Sequence, residues 1–111
     1  MKVVLHIHDL IMWSTCLANV NNLLEASEDD EIKNIEVVAN GPAIKGYLDP
    51  DIGQKIDWLQ ENRGIVFSSC AEAMSNQDVA KENLLANVQV VASGVYRLVK
   101  LQQQGYLYIK V

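Results

Sequence analysis

Basic residues are scarce in this chain: nine lysines and arginines stand against fourteen aspartates and glutamates, for a net charge of −5. Phosphate binding draws on clustered Lys and Arg, so the composition excludes a general nucleic-acid binder. Long apolar runs are missing too. No stretch approaches the roughly 18 residues needed to span a bilayer, and Met1-Lys2-Val3-Val4-Leu5 is interrupted by His6 too early for a signal peptide. The expected location is therefore the cytoplasm, with no membrane partner. There are only two cysteines, Cys16 and Cys70, far apart and without a C-x-x-C pair. In a reducing compartment they read as free thiols. Neither G-x-G-x-x-G nor G-x-x-x-x-G-K-S/T occurs, which removes the main support for a Rossmann or Walker nucleotide site. No G-x-S-x-G elbow points to a serine hydrolase.

What is present fits one domain over residues 1–111, since half of the 111 residues are hydrophobic and a second core has no room. Lys2 to His8 reads as a first strand whose near-continuous apolar run suits burial on both faces. Trp13, Cys16, Leu17, Val20, Leu23 and Leu24 then make a one-face helical stripe, in which Cys16 is a core residue. The acidic segment Glu25 to Glu31 has no ligand spacing and reads as a solvated loop. Ile35–Ala39 is a second strand stopped by Asn40-Gly41-Pro42, followed by a loop or short helical piece through Tyr47. Asp49-Pro50 caps and opens a helix carrying Ile52, Ile56 and Leu59, which Gly64 closes.

Ile65 to Ser69 is the third strand, and Cys70 to Met74 begins a short helix. Ser75-Asn76-Gln77-Asp78 has capping-box spacing and predicts another helical stretch through Leu85. Val88–Val91 is the fourth strand. Ser93-Gly94 opens a last helix with Val95, Leu98 and Val99 inward, and after Gly105 comes a fifth strand, Tyr106 to Lys110. Five alternations of strand and helix call for an α/β fold: a three-layer α/β/α sandwich around a five-stranded parallel sheet, flavodoxin-like in type. Trp13 and Trp58 are core or interface rings.

In open parallel sheets ligands bind beyond the carboxyl ends of the strands. That rule gathers His8 and Asp9 after the first strand and Asn40 and Gly41 after the second. Ser69, Cys70 and Glu72 follow at the third, Ser93 and Gly94 at the fourth. Cys70, at a helix start, is either a thiol made acidic by unpaired N–H groups or a small buried hydrophobe. Glu72 opposes the acidifying effect if it points at the sulfur. His6 and His8 share a strand face as an H-x-H pair, but third and fourth metal ligands at sensible spacing are absent, so no metal is expected. His8, nearer the strand end, is the better rim candidate and could protonate a sulfur species.

Taken together, these segments resemble the DsrE/DsrF-like family, small α/β proteins associated with intracellular sulfur handling. The resemblance runs nearly end to end. It is carried by Lys2 to Ile7, by Trp13 with the Leu17–Leu24 helix, and by Ile35–Ala43. The Val66-Phe67-Ser68-Ser69-Cys70 strand end, Val90–Val95 and the tail from Arg97 to Lys110 complete it. It implies a five-stranded parallel sheet of the DsrEFH-like kind and self-assembly into trimers or hexamers. It also implies, in sulfur-relay members, a cysteine at the end of the third strand that carries sulfur as a persulfide, which maps onto Cys70. Glu72 stands where relatives often have Asn, and Ala92 where they have Pro.

The expected function is thus a small sulfur-relay protein of the persulfide-carrier or sulfurtransferase-like type. Cys70 accepts sulfur from a protein thiol or persulfide donor, with no metal or organic cofactor. The alternative is a non-enzymatic, homo-oligomeric binding module with an inert Cys70. A flavin or nucleotide binder rests on fold analogy alone. Two tryptophans and four tyrosines are more ring surface than a small core readily holds, which independently points to a homo-oligomer.

Overall fold

The computed structural model describes residues 1–111. Strands β1 (Lys2–Ile7), β2 (Asn34–Ala39), β3 (Val66–Cys70), β4 (Gln89–Val91) and β5 (Tyr106–Lys110) pair in parallel in the order β4-β3-β2-β1-β5. Helices α1 (Trp13–Ala26), α2 (Pro50–Arg63), α3 (Ala71–Asn76) and α4 (Gly94–Gln103) connect them. Each step from β1 to β4 moves the same way along the sheet, so right-handed crossovers place α1, α2 and α3 on one face. The return from β4 to β5 runs the other way and leaves α4 alone on the opposite face. This is the three-layer α/β arrangement around a five-stranded parallel sheet that the alternation predicts.

The two faces are unequal. The three-helix side holds a hydrophobic core of 20 buried residues, whereas the hydrophobic cluster on the α4 side has four, Val4, Val38, Leu98 and Leu101. At the centre of the larger core lies Trp13, whose indole N–H donates to the Ala43 carbonyl at 2.7 Å and whose ring meets Tyr47 edge-on at 5.2 Å. Tyr47 in turn donates its hydroxyl to the Ser68 carbonyl at 2.9 Å, so each buried ring has its polar atom satisfied. Cys16 is fully buried in this core. Trp58 is exposed on α2 and takes no part in it.

Local rules account for most element ends. Asp49 accepts from the backbone N–H groups of Asp51 and Ile52, at 2.8 and 3.2 Å, to start α2. Gly64 closes that helix in the left-handed conformation at φ +65°. Gly41, at φ +52°, turns the chain out of β2 into a 3-10 segment, Gly41–Leu48, which is the short helical piece expected there.

Two expectations are corrected. Ser75 to Leu85 is not a second helix: α3 ends at Asn76, Asp78 adopts φ +54°, and only a 3-10 turn at Lys81–Asn83 follows. A left-handed residue cannot occupy the third position of a helix. The segment is instead pulled across the core, with the Leu85 N–H donating to the Tyr47 carbonyl at 3.1 Å. The second correction concerns α4. Val95 and Val99 point outward, 62% and 57% exposed, while Gly94, Leu98 and Leu101 face the sheet. Arg97 explains the rotation. It forks onto Glu36 of β2, with Nε to Oε2 and Nη2 to Oε1 both 2.8 Å, and that pairing turns the Gly94–Arg97–Leu98–Leu101 side of α4 downward. Glu36, only 2% exposed, also accepts from the Ser68 hydroxyl at 2.9 Å.

Candidate functional site

Where β2, β3 and β4 end, the chain forms an open cavity of about 180 Å³. Cys70 is the last residue of β3 and the residue from which α3 departs. It is 6% exposed and lies in the cavity wall. The turn after β2 contributes Asn40 and Gly41, α3 and the turn that follows it contribute Glu72, Ala73, Asn76 and Gln77, and the start of α4 contributes Ser93, Gly94 and Val95. Gly94 is required by close approach: a Cβ there would stand 3.1 Å from Asn40 Cβ and 3.3 Å from Cys70 Cβ. The Ser93 hydroxyl accepts from the Tyr96 N–H at 3.2 Å and fixes where α4 begins. A wider groove of about 480 Å³ lies at the other end of the sheet, between Leu24, Asp29, Asp30 and Arg63. It holds neither cysteine nor histidine.

The two thiols differ sharply in access. Cys16 is sealed in the main core, and desolvation pushes its thiol pKa up to about 12. A thiol so placed stays protonated and unreactive at neutral pH. Cys70 alone opens into a cavity.

Of the residues expected on the rim, Asn40, Gly41, Glu72, Ser93 and Gly94 share the cavity with Cys70. His8, Asp9 and Ser69 do not line it. The end of β1 is one strand farther away, because β2 lies between β1 and β3 in the sheet. His8 instead packs its ring on Gly41, where an added Cβ would come within 2.5 Å of Nε2, and its Nδ1 pairs with Asp9 at 2.9 Å. That hydrogen bond holds the Asp9 carboxyl below its usual range. Ser69 is fully buried, with its hydroxyl unpartnered in the protein, because strand alternation sends it to the face opposite Cys70. No three His, Cys, Asp or Glu side chains come together in a metal-binding group.

Sequence reasoning missed the role of His6. Its Nε2 lies 3.0 Å from Asn40 Oδ1 and its Nδ1 2.8 Å from the Tyr108 hydroxyl. Since the carboxamide oxygen only accepts, Nε2 carries the hydrogen, and in the neutral ring Nδ1 accepts from Tyr108. Burial lowers the pKa of His6 despite the opposing hydrogen bond to Asn40, and the nearby Lys110 and His8 add to the lowering. A neutral His6 therefore holds the Asn40 oxygen away and leaves the amide NH₂ as its free group. Residues 34 positions apart carry no local signal of such a contact.

Comparisons with known proteins bear on the family and the fold. No functionally curated protein matches the chain. Among solved structures, the protein of unknown function MTH1491 from Methanobacterium thermoautotrophicum is similar at TM-score 0.88 and 28% identity, over 99% of this chain and 98% of that one. The ychN protein from E. coli gives TM-score 0.74 at 10% identity, over 100% and 99% of the two chains. A conserved protein of unknown function from Bacteroides thetaiotaomicron, BT1422, gives 0.69 at 17%, over 99% and 94%. These last two are likenesses of fold alone. The DsrE/DsrF-like family matches residues 17–111, from α1 to the C-terminal strand, and the chain belongs to that family.

Proposed function

We propose that the protein is a small cytoplasmic sulfur carrier in which Cys70 is the sulfur-accepting thiol. Family membership supports a role of the sulfur-relay type in general. The observation that carries the finer reading is the position of Cys70, the one thiol that opens into a cavity at the carboxyl ends of the strands. The Cys70 thiolate attacks the outer sulfur of a donor persulfide, R–S–SH. A new S–S bond forms, the donor's S–S bond breaks, and R–S⁻ leaves. A partner thiolate then attacks the outer sulfur of Cys70–S–SH and regenerates the Cys70 thiolate. No oxidant enters either step. Main-chain N–H groups at the start of α3, which no helical carbonyl claims, serve as donors to the developing charge. His8, Asp9 and Ser69, away from the cavity, are given no part in the transfer.

The second reading, an oligomeric binding module with an inert Cys70, draws on the low exposure of that residue. Both readings include self-association into a trimer or hexamer. Its support is the apolar outer side of α4, where Val95, Tyr96 and Val99 are exposed on the thinly covered face of the sheet. No helix is long and apolar enough to cross a membrane. The carrier reading is tested by treating the protein with a persulfide donor, trapping and weighing it. A 32-Da gain on Cys70 (roughly one sulfur atom, the outer sulfur of the transfer) that survives Cys16→Ala and disappears in Cys70→Ala is expected. Sulfur on Cys16, or on neither residue, refutes it.

A further inference from the structure

The charge of the Cys70 cavity sorts sulfur donors. The residues that line it include one acid, Glu72, and three amides, Asn40, Asn76 and Gln77, and no lysine or arginine. Arg97, three residues beyond Gly94, is turned into its fork with Glu36 and does not line the cavity. Asn40, its oxygen held by His6, offers only its NH₂. Such dipoles can hydrogen-bond a neutral ligand, but they carry no net charge to offset the repulsion between a dianion and a carboxylate.

We infer that the cavity admits donors uncharged at their reacting end, protonated persulfides R–S–SH, and repels sulfur oxyanions of the thiosulfate kind. The inference rests on the carrier reading of Cys70. With a persulfide, the thiolate takes the outer sulfur as Cys70–S–SH and R–S⁻ departs to pick up a proton from water. With thiosulfate, the same attack would form the Cys70 persulfide and release sulfite. A persulfide is a monoanion in ready equilibrium with its neutral acid and can pass Glu72 in the neutral form. Thiosulfate remains a dianion at neutral pH and meets the carboxylate with no counter-charge.

The test follows sulfur loading at Cys70 of the full chain by mass. The donors are N-acetylcysteine methyl ester persulfide and thiosulfate, used on wild type, Glu72→Gln and Glu72→Lys. Glu72 is exposed, so neither substitution disturbs the core. Because an exposed carboxylate acts through screened water, the thiosulfate-to-persulfide rate ratio is expected to rise about threefold in Glu72→Gln and about tenfold in Glu72→Lys. In wild type it is expected to rise with added salt. The ratio of alkylation by iodoacetate to that by iodoacetamide should shift in the same order and needs no sulfur donor. Ratios unchanged within error across the three proteins overturn the inference and leave the carrier reading standing. Absence of sulfur on Cys70 from either donor refutes the carrier reading itself, and the inference with it.

Discussion

Removing Arg97 tests how α4 is held to the sheet. In Arg97→Leu the Glu36 carboxylate, 3% exposed, keeps its Ser68 hydrogen bond but loses both charge-assisted bonds at 2.8 Å. Stranding a buried charge costs about 3–5 kcal/mol. The Arg97 side chain is itself 30% exposed, so water can reach part of the vacated space and the lower end, about 3 kcal/mol, is expected. With a urea m value of about 1.5 kcal/mol/M, the unfolding midpoint falls by about 2 M. The control is Glu36→Leu with Arg97→Leu and Ser68→Ala, which removes the charge together with every group that serves it. That protein should unfold within about 1 kcal/mol of wild type, because an apolar replacement leaves no buried charge unpaired and the Gln89 amide, which donates to Ser68 at 3.4 Å, is exposed to water. Circular dichroism against urea at pH 7 reads both. A loss below about 0.5 kcal/mol in Arg97→Leu, the range of ordinary surface substitutions, would refute the view that this pair anchors α4.

Three further outcomes follow from the same geometry. In native protein at pH 8, a neutral alkylating reagent should modify Cys70 and spare Cys16, whose thiol pKa is raised to about 12; modification of both before urea is added contradicts the burial of Cys16. Gly94→Ala should slow alkylation of Cys70 severalfold, since the new Cβ would lie 3.7 Å from Sγ. Its melting temperature should fall, because the added methyl overpacks against Asn40 and Cys70 at a cost of about 1–3 kcal/mol. The folded-state pKa of His6 lies below its unfolded value of 6.5, so the unfolded chain binds the extra proton. Stability should therefore be full above pH 6.5 and fall as pH drops through the folded pKa; His6→Gln should flatten that part of a urea-midpoint profile, and an unchanged slope would contradict a half-buried neutral ring.

The parts of the fold legible in the sequence are those set by neighbours in the chain. Apolar runs, the Asp49 cap and the Gly64 stop place strands and helices to within a residue or so, because each depends on contacts within a few positions. The misreadings lie where a distant partner decides. Ser75 to Leu85 has acceptable helical spacing, but Leu85 is claimed by the Tyr47 carbonyl and packs against Gly53. Val95 and Val99 look like an inward pair until Glu36, 61 residues away, turns Arg97 to the sheet. Similarly, the strand-end rule groups residues by the end of the sheet they occupy and says nothing of strand order. It therefore collects His8 and Asp9, which sit one strand too far, together with Asn40, Cys70 and Gly94, which share one cavity.

Strand order also explains why so much depends on α4. Three crossovers in one direction and one in reverse leave a single helix to cover a five-stranded face. With only Leu98 and Leu101 fully inserted, that helix needs the polar fastenings at Ser93 and Arg97 to fix its position. Its first residue, Gly94, thereby closes against Cys70, while Val95 is at once a cavity wall and an exposed apolar side chain. Any partner seated on the outer side of α4 covers Val95 and so reshapes the entrance to the thiol. The exposure of Val95 and the closure against Cys70 are thus two consequences of one helix position, which the Glu36–Arg97 pair sets from beneath.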